Sequence, residues 1–280
     1  MTAPLTSSYR VRTRSARRQR RGGAPNWLLI AAEIIVPVLL LTWWWIASAG
    51  SSNTFFPPLQ NILAKLGDLA LTAQFWGDVG SSVGNLIVSF LLACVIGIAL
   101  GTALGLSQTL SWCVEPVIHF WRAIPPVALV PVFVALLGFG NETRIVAITL
   151  SALFPVLIAT IDGVHGVGST LRMVTRVYAI RRSDTVLSVI LPAASPRILA
   201  GMQVSLISAF VVMIASEMLG SSTGLGAATL LAQQSFAITD MWAGIIVLGI
   251  IGYAATALFS AFRRGVLRWY IALQQQERNG

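Results

Sequence analysis

Long apolar runs separated by short polar segments dominate the chain. The run that begins at Leu86, LIVSFLLACVIGIALGTALGL, is apolar on every helical face. Several runs approach the roughly 20 residues that a helix needs to cross the hydrocarbon core of a bilayer. A membrane β-barrel would instead alternate apolar and polar residues with period two. The pattern therefore predicts an all-α polytopic membrane protein.

Six transmembrane helices fit this pattern. Their predicted ranges are approximately 27–47, 83–106, 125–139, 144–161, 198–219 and 241–262. A short surface helix is expected between the first two spans, because Leu59, Ile62 and Leu66 follow helical spacing. Small-xxx-small spacing in the second span predicts close packing against another helix, and prolines predict a kinked third span. The glycines and prolines concerned are Gly97, Gly101, Gly105, Pro125, Pro126 and Pro131.

The distribution of positive charge predicts the orientation. Seventeen of the nineteen basic residues, including Arg122, fall in segments that this topology places inside, and only Lys65 and Arg144 fall outside. Both termini are therefore predicted to be cytoplasmic. The chain divides into a basic tail over residues 1–26, which we expect to be disordered, a transmembrane domain over 27–262 and a basic C-terminal tail over 263–280.

Composition narrows the possible functions. The chain is 56% hydrophobic and 10% charged, whereas soluble domains carry roughly 25% charged residues. The net charge of +9 does not indicate a nucleic-acid partner, because seven arginines precede the first span, where they can lie against anionic lipid. Residues 27–47 are too long for the roughly 7–15-residue apolar region of a cleaved signal peptide. Two cysteines imply no disulfide framework.

Several kinds of chemistry are missing from the sequence. Its single lysine, Lys65, stands between alanine and leucine, so a phosphate-binding loop with a Gly-Lys pair is impossible. His119 and His165 lack partners at metal-ligand spacing, and no G-x-S-x-G element is present. We therefore predict no catalytic residue, metal site or cofactor. Few ionisable residues fall within spans, which makes Glu33 and Glu217 candidates for function.

The polar stretch over residues 169–201 predicts a helical hairpin. Leu171, Val174 and Tyr178 fall at i, i+3 and i+7, which leaves Arg172 and Arg176 on another face of a short helix. Ser169 or Thr170 is the predicted cap of that helix. A second short helix is predicted to follow Arg181 and Arg182, with Ser183 or Asp184 as its cap and with Pro192 and Pro196 at its end. Such a hairpin fits a docking surface, and an amphipathic loop on lipid head groups is the alternative.

The same stretch resembles the coupling loop of permease subunits of binding-protein-dependent ABC importers. The family pattern is Glu-Ala-Ala, three residues, Gly, nine residues, Ile, one residue and Leu-Pro. The corresponding positions are Met173-Val174-Thr175, Ala179, Val189 and Leu191-Pro192. The spacing and the Leu-Pro are kept, whereas the Glu-Ala-Ala and the Gly are replaced.

Further segments are similar to the nitrate, sulfonate and taurine branch of that family, in a consistent order over about residues 56–269. They are Arg122-Ala-Ile-Pro-Pro-Val-Ala-Leu-Val-Pro131, Leu137-Gly-Phe-Gly140, Pro192-Ala-Ala-Ser-Pro196, Ser216-Glu-Met-Leu-Gly220 and Gly224-Leu-Gly226. The resemblance implies the type I ABC importer permease fold in a bacterial cytoplasmic membrane. It also implies import of a small solute such as a sulfonate, nitrate or taurine.

Partners and candidate residues follow from the same resemblance. It implies two ABC ATPase subunits that hydrolyse ATP, an extracytoplasmic substrate-binding protein and a second permease chain, identical or different. The candidate residues for ATPase coupling, within the loop over 169–197, are Leu171, Arg172, Met173, Arg176, Ala179, Arg181, Arg182, Leu191 and Pro192. The candidates for the pathway or the outer loop are Glu217, Arg122 and Gly224. A secondary transporter or channel is the alternative function.

Overall fold

The computed structural model describes residues 26–51, 53–270 and 272, and divides the chain into two compact units, Met1–Ser48 and Ala49–Gly280. The first unit contains helix α1, Asn26–Ser48, which matches the first predicted span and includes Pro37. The predicted disordered tail over residues 1–26 lies almost wholly outside the described residues. Half of the C-terminal tail, residue 271 and residues 273–280, lies outside them as well.

Within the described residues, every regular secondary-structure element of the second unit is a helix or a helical turn. In chain order these are α2 Leu59–Ala70, α3 Ala73–Leu106, α4 Gln108–Ala123, a 3-10 turn Pro126–Leu129, α5 Val130–Leu137, α6 Asn141–His165, α7 Ser169–Val177, α8 Arg182–Thr185, a π turn Val186–Ile190, α9 Leu191–Gly220, α10 Leu225–Gln234 and α11 Ile238–Val266. The predicted surface helix is α2. Helices α4 and α10 were not predicted from the sequence.

Four helices among the described residues are long and apolar enough to cross a membrane. They are α3, α6, the continuous helical segment Arg182–Gly220 and α11. Helices α4 and α5 meet at an angle of 86° and make a fifth crossing if they form one broken span. The count of six spans and the cytoplasmic position of the termini remain predictions.

The break between α4 and α5 has a local cause. Pro125 and Pro126 have no backbone N–H to donate, and a proline disfavours helical geometry at the residue before it. Ile124 accordingly has φ −85° and ψ 123°, and its N–H donates to the Trp121 carbonyl in a closing turn. The bend thus lies at the start of the predicted third span, where α4 ends, and a kink within the span stays a prediction.

Helices α3, α6 and α9 pack side by side and form the core of the second unit. The predicted small-residue face of α3 contacts α6, where Gly97 faces Val156 and Gly101 faces Thr160. A Cβ atom at Gly101 would lie 2.6 Å from the Thr160 Cβ, closer than two carbon atoms can approach. The predicted helix interface is therefore confirmed, and α6 is the partner.

Candidate functional site

The turn after α7 shows why the family pattern has a glycine there. The Ile180 N–H donates to the Thr175 carbonyl and the Ala179 N–H to the Arg176 carbonyl, each at 3.1 Å. This pair of bonds defines a Schellman motif, whose residue after the helix end adopts a left-handed conformation and is usually glycine. Ala179 occupies that position with φ 48°. The hairpin is thus closed by an alanine in a conformation that glycine adopts without steric cost.

The residues at the Glu-Ala-Ala positions have different environments. Met173 is 64% exposed and Val174 is 44% exposed, whereas Thr175 is buried and donates its hydroxyl to the Arg172 carbonyl. A small residue is therefore needed only at the last of the three positions. Met173 replaces a charged side chain with an apolar one on the exposed surface of α7, which changes the chemistry that a partner would meet.

The predicted caps of the two short helices are wrong. Gly168 precedes α7 and Arg181 precedes α8, and neither helix has a side-chain capping bond. Ser183 instead donates to the Asp184 carboxylate at 3.2 Å. Ser183 and Asp184 thus fall inside the first turn of α8, two and three positions after the N-cap residue Arg181.

The second helix of the hairpin does not end at the prolines, as the sequence suggested. Pro192 lies in the first turn of α9 and Pro196 lies inside it. The Leu191 N–H reaches back five residues to the Val186 carbonyl, so the helix widens into a π turn just before Pro192. A widened turn accommodates the proline ring and its missing N–H without breaking the helix. Leu191 packs against the small core cluster around Val164.

Two arginines join the hairpin to the end of α6. Arg172 donates to the Val164 carbonyl at 2.5 Å, and Arg197 donates to the Asp162 carbonyl at 2.9 Å. Both carbonyls belong to the last turn of α6, where backbone acceptors have no partner within the helix and positive charge is favourable. Arg172 therefore fixes the base of the hairpin, although the sequence placed it among the docking residues.

The rest of the hairpin faces outward. Arg176, Arg181 and Arg182 are exposed. Six apolar side chains on α7 and its turn are between 40% and 76% exposed, and we call them the apolar hairpin surface. They are Leu171, Met173, Val174, Val177, Tyr178 and Ile180. A contiguous apolar surface of this kind, bordered by charge, is typical of a binding interface.

Glu217 lies at the opposite end of α9 in a buried polar network. Its side chain is fully buried, and Oε2 accepts hydrogen bonds from the Ser82 hydroxyl and the Gly226 N–H, both at 2.9 Å. Gly226 is in the first turn of α10, where a carboxylate is favoured by the free N–H groups and the helix dipole. Ser82 also accepts from the Leu225 N–H at 2.9 Å. Glu217 thus ties the start of α10 to α3 and α9.

Gly224 is required by the same network. Its φ of 109° is left-handed, and a Cβ atom there would lie 2.5 Å from the Glu217 carboxyl carbon. Its N–H donates to the Asp78 carboxylate at 2.7 Å. Glycine therefore adopts the positive φ without strain and leaves room for the Glu217 carboxylate. Gly224 was a candidate by resemblance only, and the structure supplies the physical reason.

The sequence did not predict that Asp78, Ser82 and Arg144 belong to this buried polar region. Asp78 and Ser82 are one helical turn apart at the start of α3, and Asn85 and Ser89 continue the same face. This i, i+4, i+7, i+11 stripe of polar residues was the available signal. Arg144, expected in an outer turn, is buried and donates to the Thr223 carbonyl at 3.1 Å.

Arg122 lines an open cavity of about 520 Å³ between α4, α5, α6 and α9. The neighbouring Trp121 stacks on Phe154 with a centroid distance of 5.7 Å and an interplanar angle of 18°. Phe154 is near the middle of α6, so the end of α4 reaches halfway along the bundle. The sequence placed Arg122 in an inside segment just before the third span, and in the structure it lies in the last turn of helix α4.

These features agree with comparisons to known proteins. The family described as "Binding-protein-dependent transport system inner membrane component" matches residues 93–270. The chain belongs to this family and is an inner membrane component of a binding-protein-dependent transport system.

Individual relatives support the same assignment. The chain is 31% identical to a putative aliphatic sulfonates transport permease of Bacillus subtilis, over 77% of this chain and 78% of that protein. It is 30% identical to the taurine transport system permease of Escherichia coli, over 79% and 82% of the two chains. Among solved structures, an inward-facing MetNI methionine ABC transporter chain matches with a TM-score of 0.59 at 20% identity, over 68% of this chain and 94% of that one. This likeness confirms the predicted permease fold.

Proposed function

We propose that this chain forms part of the membrane pathway of an ATP-driven importer and that residues 169–197 dock on an ATPase subunit. The observation that carries the proposal is the apolar hairpin surface, which is exposed although the base of the hairpin is held by Arg172. A segment that is fixed at its base and apolar at its tip is suited to binding another protein. The chain has no phosphate-binding loop, so ATP hydrolysis belongs to the partner.

The continuous helix from α8 to α9 gives the docking surface a mechanical link to the pathway. Arg182–Gly220 spans 39 residues, or roughly 58 Å at 1.5 Å per residue. One end belongs to the hairpin, and Gly201 and Ser208 farther along line the cavity. When ATP binding moves the ATPase subunits, displacement of α8 is passed along this helix. The cavity wall then shifts, which opens or closes the pathway.

The other end of the same helix supports an outer-loop role for Glu217. Its two hydrogen bonds hold α10 in place and leave the carboxylate fully buried. An extracytoplasmic binding protein would meet α10 and the segments around it. This geometry favours a role for Glu217 as an anchor of the outer loop over a role as a pathway residue. A second permease chain would complete the pathway opposite the cavity.

The solute is a small nutrient of the sulfonate, nitrate or taurine type, as the names of the relatives suggest. The binding protein selects most of its identity, so the transmembrane chain contributes only part of the specificity. Membership of the importer family favours this function over a secondary transporter or channel.

The docking proposal is tested by reversing the charge of Arg181 and Arg182 together. The double variant Arg181→Glu, Arg182→Glu should reduce substrate uptake at least tenfold in vesicles that contain the co-purifying ATPase and binding protein. The thermal unfolding temperature should stay unchanged, since both side chains are exposed. Arg268→Glu, another exposed arginine, is the matched control and should transport normally. Normal uptake by the double variant would disprove docking through this hairpin.

A further inference from the structure

The cavity beside α4 is lined by more positive than negative side chains. Its walls are mainly apolar and aromatic, and among the described residues only Arg122, Arg197 and Asp162 bring ionisable side chains to it. Arg197 donates one hydrogen bond from its guanidinium to the Asp162 carbonyl at 2.9 Å. Arg122 is exposed to the cavity and makes no hydrogen bond or ion pair within the described part of the chain. Two positive side chains therefore face one carboxylate.

An unpaired arginine at this depth is energetically costly. Trp121, the adjacent residue, stacks on Phe154 near the middle of α6, so Arg122 is well away from both ends of the bundle. Ionisable side chains inside a membrane domain are rare and usually pair with each other or line a solute path. The cost is offset when the partner is a solute that arrives during transport.

The break between α4 and α5 keeps Arg122 in position. Pro125 and Pro126 end α4 just beyond it, and the 3-10 turn that follows also lines the cavity. Irregular backbone at membrane depth is tolerated where it borders a water-filled cavity, and discontinuous helices commonly form transport sites. The stacked Trp121 fixes the orientation of the last turn of α4. The broken span thus presents one guanidinium to the cavity.

We propose that Arg122 makes the cavity selective for a small oxyanion, which its guanidinium binds during passage between α4, α6 and α9. This inference rests on the proposed importer function, since it treats the cavity as part of the transport pathway. Planar guanidinium groups bind carboxylate, sulfonate or phosphate oxygens through two parallel hydrogen bonds. The rest of the wall is mainly apolar, so within the described residues it offers the solute few competing polar groups. The membrane chain would then favour negatively charged solutes, and the binding protein would determine which solute is delivered.

The charge preference can be measured with thiol reagents of opposite charge. Ser208→Cys places a thiol on the cavity wall, and Cys113→Ser removes the exposed native cysteine, while Cys94 is buried. The purified complex is treated with the sulfonate reagent 2-sulfonatoethyl methanethiosulfonate or with its trimethylammonium counterpart. The ratio of the two modification rates should favour the anion. Arg122→Gln should lower that ratio about tenfold, because loss of one positive charge from the cavity wall lowers the local concentration of the anionic reagent and raises that of the cationic one.

Two further variants make the result specific. Arg122→Lys retains the charge and should keep the anion preference, whereas Arg268→Gln removes an exposed arginine outside the hairpin and the cavity and should leave the ratio unchanged. An unaltered ratio in Arg122→Gln would overturn the proposal.

A measurement with Arg122 intact gives an independent test. Methanesulfonate should slow modification of the thiol at position 208, and neutral dimethyl sulfone should not. Equal rates in the presence of both solutes would contradict an oxyanion site. Neither measurement needs ATP hydrolysis, so failure here and failure of hairpin docking can be distinguished.

Discussion

The two segments at opposite ends of α9 differ in how their polar groups are satisfied. The α10 segment, residues 221–237, is held by Glu217, Ser82 and Asp78 through hydrogen bonds that are buried or partly buried. The hairpin, residues 169–190, is tied to α6 by Arg172 and exposes apolar and basic side chains elsewhere. A segment whose polar groups are satisfied internally needs no partner to hold its shape. A segment that exposes an apolar surface can bury that surface only against a partner.

The largest expected effect follows from breaking the buried network. Glu217→Ala would leave the Ser82 hydroxyl and the Gly226 N–H without their acceptor inside the protein. We expect a loss of about 3 kcal/mol in the free energy of unfolding, because hydrogen bonds to a charged group are lost and their partners stay buried. Thermal unfolding of the purified protein in detergent measures this. Glu142→Ala, an exposed carboxylate in the first turn of α6, should cost less than about 1 kcal/mol. Similar losses in the two variants would show that the network contributes little.

The sequence predicted that the hairpin exists but did not predict helix α10, for physical reasons. Helical periodicity and a conspicuous charge pattern mark residues 169–190. The network around Glu217 depends on Ser82, which lies 135 positions away in the chain, and no local pattern reveals such a pairing. Gly224 likewise follows from a carboxylate that reaches it only in three dimensions.

Other differences arise from competition between local rules. Pro192 and Pro196 are usual helix breakers, but a π turn and packing of Leu191 carry the helix through them. Arg122 was placed in an inside segment because α4 is less apolar than a typical span and contains Pro116. Fold class, helix α2 and the face of α3 around Gly101 could be predicted, since each depends on periodicity or spacing alone.

Removal of the apolar hairpin surface should affect binding and leave folding intact. The double variant Met173→Ser, Tyr178→Ser should weaken association with the ATPase about 30-fold, or about 2 kcal/mol, as expected for central apolar residues of an interface. Both side chains are exposed, so the unfolding temperature should not fall. Co-purification at graded salt or a direct binding titration measures the change. Leu71→Ser, at a leucine outside the hairpin that is more exposed than either residue, should bind normally. Loss of folding in the double variant would mean that the surface is structural.

Two arginines on α7 provide a finer comparison. Arg172 donates to the Val164 carbonyl, whereas Arg176 is exposed. Arg172→Ala should lower stability by about 1.5 kcal/mol, the usual value for a hydrogen bond from a charged donor. Arg176→Ala should leave stability unchanged and can affect only docking. Hydrogen exchange at the end of α6 should quicken in the first variant alone. Equal exchange in both would show that the bond to α6 does not fix the hairpin.

The smallest effect concerns a feature that both segments share. Ala179 after α7 and Phe236 after α10 are left-handed, with φ 48° and 55°, and both close Schellman motifs. Since a side chain costs about 1 kcal/mol in that conformation, Ala179→Gly and Phe236→Gly should each slow local hydrogen exchange by up to about fivefold. The consequence for function should differ. A firmer turn at 236 only reinforces a segment that its own network already holds, whereas a firmer turn at 179 restores the family's glycine and pre-orders the docking surface. Uptake should therefore rise in Ala179→Gly and stay constant in Phe236→Gly. A fall in uptake in Ala179→Gly would show that the hairpin needs its strained turn.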